Sequence, residues 1–253
     1  MTSLAQRLRS GDKIVTAWSG LAVPIVAELL ARGGYEAVTL DMQHGQHDMA
    51  SVREGMASLT LAGAHRIVRI PVGGNAMASR VLDVGAEAVI APMINNRADA
   101  EAFAAAMKFP PVGARSWGPH RAAMLAGKTS SDYLAGANDS LLSLAMIETP
   151  EAIAALEDIL SVPGIDGVFV GPSDLSLTLS QGLSLDPGGE RTQKAATDIA
   201  RRTLAAGKVA GIFCLEPGKV QEAIGMGYSL MAFGSDAFLL MEASQAALKS
   251  SRV

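Results

Sequence analysis

Glu148 and Asp174 are the residues of this 253-residue chain whose types and spacing speak most directly of chemistry. Each closes a short apolar run, LSLAMIE and GVFVGPSD, and they stand 26 residues apart, the length of one strand-plus-helix repeat. That spacing predicts carboxylates at the ends of neighbouring strands, where they either share a proton or bind a cation. Two oxygen donors with no Cys or His cluster suit octahedral Mg²⁺ or Mn²⁺ completed by water and substrate oxygens. Taken singly, each also fits a helix start: Glu148 precedes Thr149-Pro150, and Asp174 precedes another short segment.

Three further polar groups fall at predicted strand ends. In Leu40-Asp41-Met42-Gln43-His44-Gly45, a single turn of loop would let the Asp41 carboxylate orient the His44 imidazole for acid–base work. Arg69, in IVRIP, lies one residue from the end of a buried strand and needs an anion there. Either a protein carboxylate or a substrate carboxylate or enolate would serve. The turn Gly171-Pro172-Ser173 could present backbone N–H groups to a small carboxylate. His47, beside Asp48 at the next helix start, reads as solvated or capping, His65 as structural, and Gly234-Ser235-Asp236 as a helix cap rather than a phosphate site. No lysine ends a strand, which argues against Schiff-base chemistry and leaves a metal as the electron sink.

These residues need a scaffold that gathers strand ends. Strands are expected at 14–18, 37–41, 66–70, 88–92, 142–148, 167–171, 208–213 and 229–234. Helices are expected at 22–32, 49–61, 75–84, 97–107, 150–160, 191–206, 217–225 and 235–249. Gly33, Gly63, Gly85 and Gly207 punctuate the helix-to-strand turns, and runs such as AVIAPMI suit parallel strands buried on both faces. Eight alternating units predict an α/β fold, a (β/α)₈ TIM barrel in one domain over 1–253, rather than an open doubly wound sheet. The segment 109–138 reads as irregular, a lid or a subunit contact.

Composition agrees and excludes. With 49% hydrophobic but only 4% aromatic residues, the core is one of small and branched side chains, and a net charge of −4 gives no footprint for nucleic acid. The single cysteine, Cys214, rules out an intrachain disulfide framework and reads as a small buried hydrophobe in a reducing compartment. The N-terminal stretch lacks a secretory apolar region, and no run of about 18 apolar residues follows, so a cytoplasmic protein with no membrane partner is expected.

The motifs together resemble a known family. LDMQHG at 40–45, VRIP at 68–71, GAEAVIAPMI at 85–94, GARSWGP at 113–119, MIET at 146–149, GVFVGPSDLS at 167–176 and AFGSDA at 232–237 are similar to the HpcH/HpaI metal-dependent pyruvate aldolases, in order and spacing along nearly the whole chain. The resemblance is nearest to the hydroxy-ketoacid and 4-hydroxy-2-oxoheptanedioate aldolases. It implies a class II lyase that reversibly cleaves 4-hydroxy-2-oxo acids to pyruvate or hydroxypyruvate and an aldehyde. It implies Mg²⁺, Mn²⁺ or Co²⁺ on Glu148 and Asp174, an Arg69 clamp and a His44/Asp41 acid–base pair. Ser173 with Gly171 and Pro172 would hold the donor carboxylate, and Trp18 and Phe213 would wall the pocket. It further implies a homohexamer, a trimer of dimers with the last helix exchanged between subunits. Gln43 and Met146 depart from the family's commoner glutamate and glutamine; a neutral Gln43 removes one charge from the metal's surroundings. A citryl- or malyl-CoA-type lyase, or a barrel that binds metabolites without catalysis, is the alternative.

Overall fold

Alternating side chains and regular glycine punctuation produce a closed barrel. The computed structural model describes residues 2–251. Its strands are β1 Ile14–Ser19, β2 Ala37–Asp41, β3 His65–Arg69, β4 Ala88–Ala91, β5 Leu142–Ile147, β6 Gly167–Val170, β7 Val209–Phe213 and β8 Leu230–Ser235. All pair in parallel, in sequence order, and β8 returns to β1. Every predicted strand forms.

The two-residue period divides each strand between two cores. Ile14 and Trp18, Ile67, Ala88 and Ile90, Leu142, Leu144 and Met146, Phe169 and Val209 pack together inside the barrel. The intervening Ala17, Val38, Val68, Val89, Ala145, Val168 and Met231 pack outward against the helices. Large and small residues compensate across strands: a Cβ at Gly211 would press into the Phe169 ring, so glycine there makes room for it.

Helix Leu4–Arg9 was not anticipated. It inserts Leu4, Ala5 and Leu8 into the interior cluster, and a Ser3/Gln6 capping box starts it. The S-x-x-Q spacing was available as a signal. The helix expected at 150–160 divides at Ala155 into Pro150–Ala154 and Leu156–Ser161.

The segment 109–138 is also more ordered than its composition suggests, because it contains helix His120–Leu125 and much of helix Ser130–Ser140, the latter capped by Thr129. It lies at the end where strands begin. Lys108, buried just before it, bonds the carbonyls of Asn138 and Leu141 at 2.8 and 2.5 Å and pairs with Asp166, before β6, at 2.6 Å. The segment is therefore no lid over the strand ends of its own barrel. His65 is structural as expected, 3.2 Å from Glu87 at the same end.

Candidate active site

At the opposite end, where the strands finish, most of the predicted site residues come together. A cavity of about 200 Å³ opens there, lined by Trp18, His44, Arg69, Met146, Glu148, Phe169, Gly171, Pro172, Ser173, Asp174 and Phe213. Nine of the eleven predicted site residues line it, and Asp41 and Gln43 do not.

Asp41 and Arg69 are register partners on β2 and β3. Nε and Nη2 of Arg69 donate to the two Asp41 carboxylate oxygens at 2.8 and 2.6 Å, a bidentate pair. The guanidinium also lies over the Trp18 ring, 4.9 Å from its centroid, while the Trp18 indole N–H donates to Asp41 at 3.2 Å. Arg69 is thus fixed from two sides, and Nη1 has no protein partner among the described residues. The anion that Arg69 required is a protein carboxylate.

This geometry corrects the His44/Asp41 pair. Burial pushes the Asp41 pKa up, but the Arg69 guanidinium, the Gln43 amide and the Trp18 indole outweigh it and hold the carboxyl below its usual range. The loop wraps its backbone onto the same group, with the N–H groups of Gln43, His44 and Gly45 donating at 3.0, 3.4 and 3.1 Å. Asp41 therefore meets the His44 backbone, not its imidazole. His44 reaches the cavity as an exposed side chain on a loop whose backbone Asp41 anchors. Gln43 is half-buried, and its carboxamide oxygen has no partner among the described residues.

The capping alternative for Glu148 also falls away. Thr149 caps the following helix by accepting from Ala152 at 3.0 Å, while Glu148 turns inward and is buried. Its Oε2 accepts from the Met93 amide at 3.0 Å. Met93 adopts φ 56°, in the left-handed region, and this strained turn after β4 aims an N–H at the carboxylate. No sequence signal marked Met93. Asp174, in the first turn of helix Pro172–Leu179, makes no side-chain hydrogen bond among the described residues. Burial and the neighbouring Asp174 charge, against the Met93 amide and Arg69, raise the Glu148 pKa to about 7.

A carboxylate pair of this kind fits a divalent cation. One Glu148 oxygen and the Asp174 side chain have no protein donor among the described residues, and the Asp174 carboxylate penalises the charge on Glu148 until a cation is shared. No group of three or more Cys, His, Asp or Glu side chains that could hold a metal exists among the described residues. Water and substrate would complete the shell, as in sites that keep exchangeable positions. Gly171 preserves the space: a Cβ there would collide with Glu148 Oε1 and come within 3.0 Å of the Met146 methyl group. Its φ of −99° suits any residue, so Gly171→Ala tests sterics without backbone strain. The variant is expected to lose at least about tenfold in Mn²⁺ affinity by isothermal titration, as supporting groups around metal ligands do.

Sequence reasoning also missed a buried network below the His44 loop. His47 is buried rather than solvated, with Nε2 3.0 Å from Ser19 Oγ and Nδ1 3.2 Å from Ser51 Oγ. Ser19 donates to Asp236 at 3.0 Å, so His47 Nε2–H is the donor to Ser19. Asp236 also accepts from the amides of Gly20, Leu21 and Ala237, so the expected helix cap ties β8 to β1. Burial lowers the His47 pKa against the opposing pull of Asp236, Asp41 and Asp48.

A closed parallel barrel with an acidic pair, a braced arginine and a histidine at its strand ends has the architecture of (β/α)₈-barrel enzymes, whose active sites lie at that end. Residues 15–243 match the family model described as HpcH/HpaI aldolase/citrate lyase. The chain belongs to the HpcH/HpaI aldolase/citrate lyase family, a family of lyases that generally depend on divalent metals. It is 38% identical to a hydroxypyruvate/pyruvate aldolase of Rhizorhabdus wittichii, over 96% of this chain and 95% of that one. It is 31% identical to a 2-keto-3-deoxy-L-rhamnonate aldolase of Escherichia coli O6:K15:H31, over 94% and 88%. A crystal structure of a family protein from Burkholderia cenocepacia J2315 superposes with a TM-score of 0.89 at 29% identity, covering 99% of both chains.

Proposed function

We propose that this enzyme cleaves 4-hydroxy-2-oxo acids reversibly to pyruvate or hydroxypyruvate and an aldehyde. The observation that carries the reading is the joint presence, in one cavity, of the unneutralised Glu148/Asp174 pair and the Asp41-braced Arg69. The carboxylates would hold Mg²⁺, Mn²⁺ or Co²⁺, which when bound supplies Lewis-acid withdrawal of electrons from the keto group.

The chain's own groups do the rest. The backbone N–H of Ser173, at the start of its helix, offers a donor to the substrate carboxylate, and the Gly171-Pro172 turn keeps the approach open. Arg69 Nη1 faces the keto oxygen and stabilises the negative charge that grows there as the C3–C4 bond breaks. His44, directly or through one water, takes the proton of the 4-hydroxyl, and the electron pair of the broken bond becomes the pyruvate enolate. Protonation at C3 then yields pyruvate. Trp18 and Phe213, edge-to-face at 5.2 Å, wall the cavity and limit water. A CoA-type lyase would call for a basic groove, and the cavity offers only Arg69 and His44.

His44→Ala is expected to reduce retro-aldol kcat by about 10²–10⁴, with Mn²⁺ binding retained. Metal-dependent deuterium exchange into the pyruvate methyl group tests the donor half alone. Absence of exchange with Mg²⁺, Mn²⁺ and Co²⁺ would sink the aldolase reading.

Assembly is part of the same proposal. Helix Asp236–Ser251 leaves Phe238, Leu240, Met241 and Leu248 exposed, which supports exchange of this helix within a homohexamer. No helix among the described residues is long and apolar enough to cross a membrane. One domain over 1–253 and a cytoplasmic location complete the reading, the latter supported by the single cysteine, which is free and buried.

A further inference from the structure

Phe213 borders more than one cavity. A second cavity of about 260 Å³ lies beside the first, and Pro172 and Phe213 line both. Phe213 is the last residue of β7 and is half-buried, and with Pro172 it stands between the two. Ile212, Cys214, Ala223 and Met226 make the second cavity largely apolar. Burial pushes the Cys214 thiol up to about 12, so this wall stays uncharged. The charged part of the lining is acidic: Lys219 is the only basic residue, 2.7 Å from Glu222 and within the field of Glu216, against the three carboxylates of Asp186, Glu216 and Glu222.

We propose that this second cavity receives the tail of the acceptor aldehyde and selects uncharged alkyl or aryl tails over carboxylate-bearing ones. The proposal rests on the aldolase reading above and names its acceptor class. The carbonyl carbon of the acceptor must lie in the first cavity beside the donor's C3 and His44, and the shared Phe213 wall is where a longer chain can leave it. Addition joins C3 to the aldehyde carbon, and the proton lost from C3 is balanced by the one gained at the new hydroxyl, so no co-reactant is needed. Each methylene buried against this wall raises kcat/KM by about fourfold. A tail carboxylate would instead meet Asp186 and Glu216, where like charges repel.

The test pairs pyruvate with glycolaldehyde, hexanal and succinic semialdehyde in the metal-loaded enzyme. Hexanal is expected to exceed succinic semialdehyde at least about tenfold in kcat/KM. Ala223→Trp, which fills the second cavity, should lower the hexanal-to-glycolaldehyde ratio about tenfold or more, and Phe213→Ala should raise it. Glu216→Lys, at an exposed position that tolerates change, should raise the succinic semialdehyde-to-glycolaldehyde ratio about tenfold. It keeps the proposal testable if the tryptophan variant does not fold. Unchanged ratios in both Ala223→Trp and Glu216→Lys, with pyruvate deuterium exchange intact, would overturn the tail assignment alone. Absence of exchange in the unmodified enzyme would overturn the aldolase reading and the proposal with it.

Discussion

Arg69→Ala is expected to lower kcat/KM by about 10³-fold and to destabilise the protein by roughly 3–5 kcal/mol. The two losses have different origins. On the proposed mechanism, activity falls because the guanidinium that meets growing negative charge is lost. Stability falls because Asp41 is left as a buried charge: the paired side chains are only 10% and 4% exposed, so solvent screens the deficit poorly. The Asp41→Asn/Arg69→Met double variant separates them, since removing both charges should recover much of the stability and none of the activity. Steady-state kinetics and urea unfolding of the variants make the measurement, and a fully stable Arg69→Ala would contradict the structural pairing. Sequence alone does not disclose that Asp41 depends on Arg69.

Glu148→Gln should abolish detectable activity and stabilise the metal-free protein at alkaline pH. The carboxyl pKa rises from 4.5 to about 7 on folding, so between those values the folded state keeps a proton that the unfolded state has released. Stability of the metal-free enzyme therefore falls as pH rises through about 4.5 to 7, and the deficit is complete above it, on the order of 3 kcal/mol. Glutamine carries no charge to desolvate, so the variant should lack that pH dependence. Divalent cations should reverse the deficit in the unmodified protein by binding the ionised pair, and their affinity should drop as pH falls below about 7, where protons compete. Thermal unfolding between pH 5 and 8.5, with chelator and with Mn²⁺, measures each of these. Equal melting temperatures for the two chelated proteins at pH 8.5 would show that burial does not strain Glu148.

The barrel was largely legible in the chain. The apolar runs have strand length, glycines end several helices, and eight repeats leave few topologies. The end positions were legible for the same reason: Trp18, Arg69, Glu148, Gly171 and Phe213 fall at or just past the close of such runs. What failed was partnership. Asp41 and His44 are three residues apart, yet the carboxylate belongs to Arg69, 28 residues away, because parallel register sets the two side by side on one barrel face. His47 looked like a solvated helix-start residue and instead bonds Ser19 and Ser51 beneath the loop.

Local order in the chain thus determined the fold class, the absence of a strand-end lysine and the identity of the acidic pair, since periodicity and residue type are properties of short stretches. Only closure of the barrel decided how those groups are used. It gave Arg69 its brace, raised Glu148 by burying it beside Asp174, turned Met93 into a donor and placed a second cavity behind Phe213. Hydrogen bonding and desolvation depend on which distant groups meet and how much water remains between them. Neither is encoded at any single position.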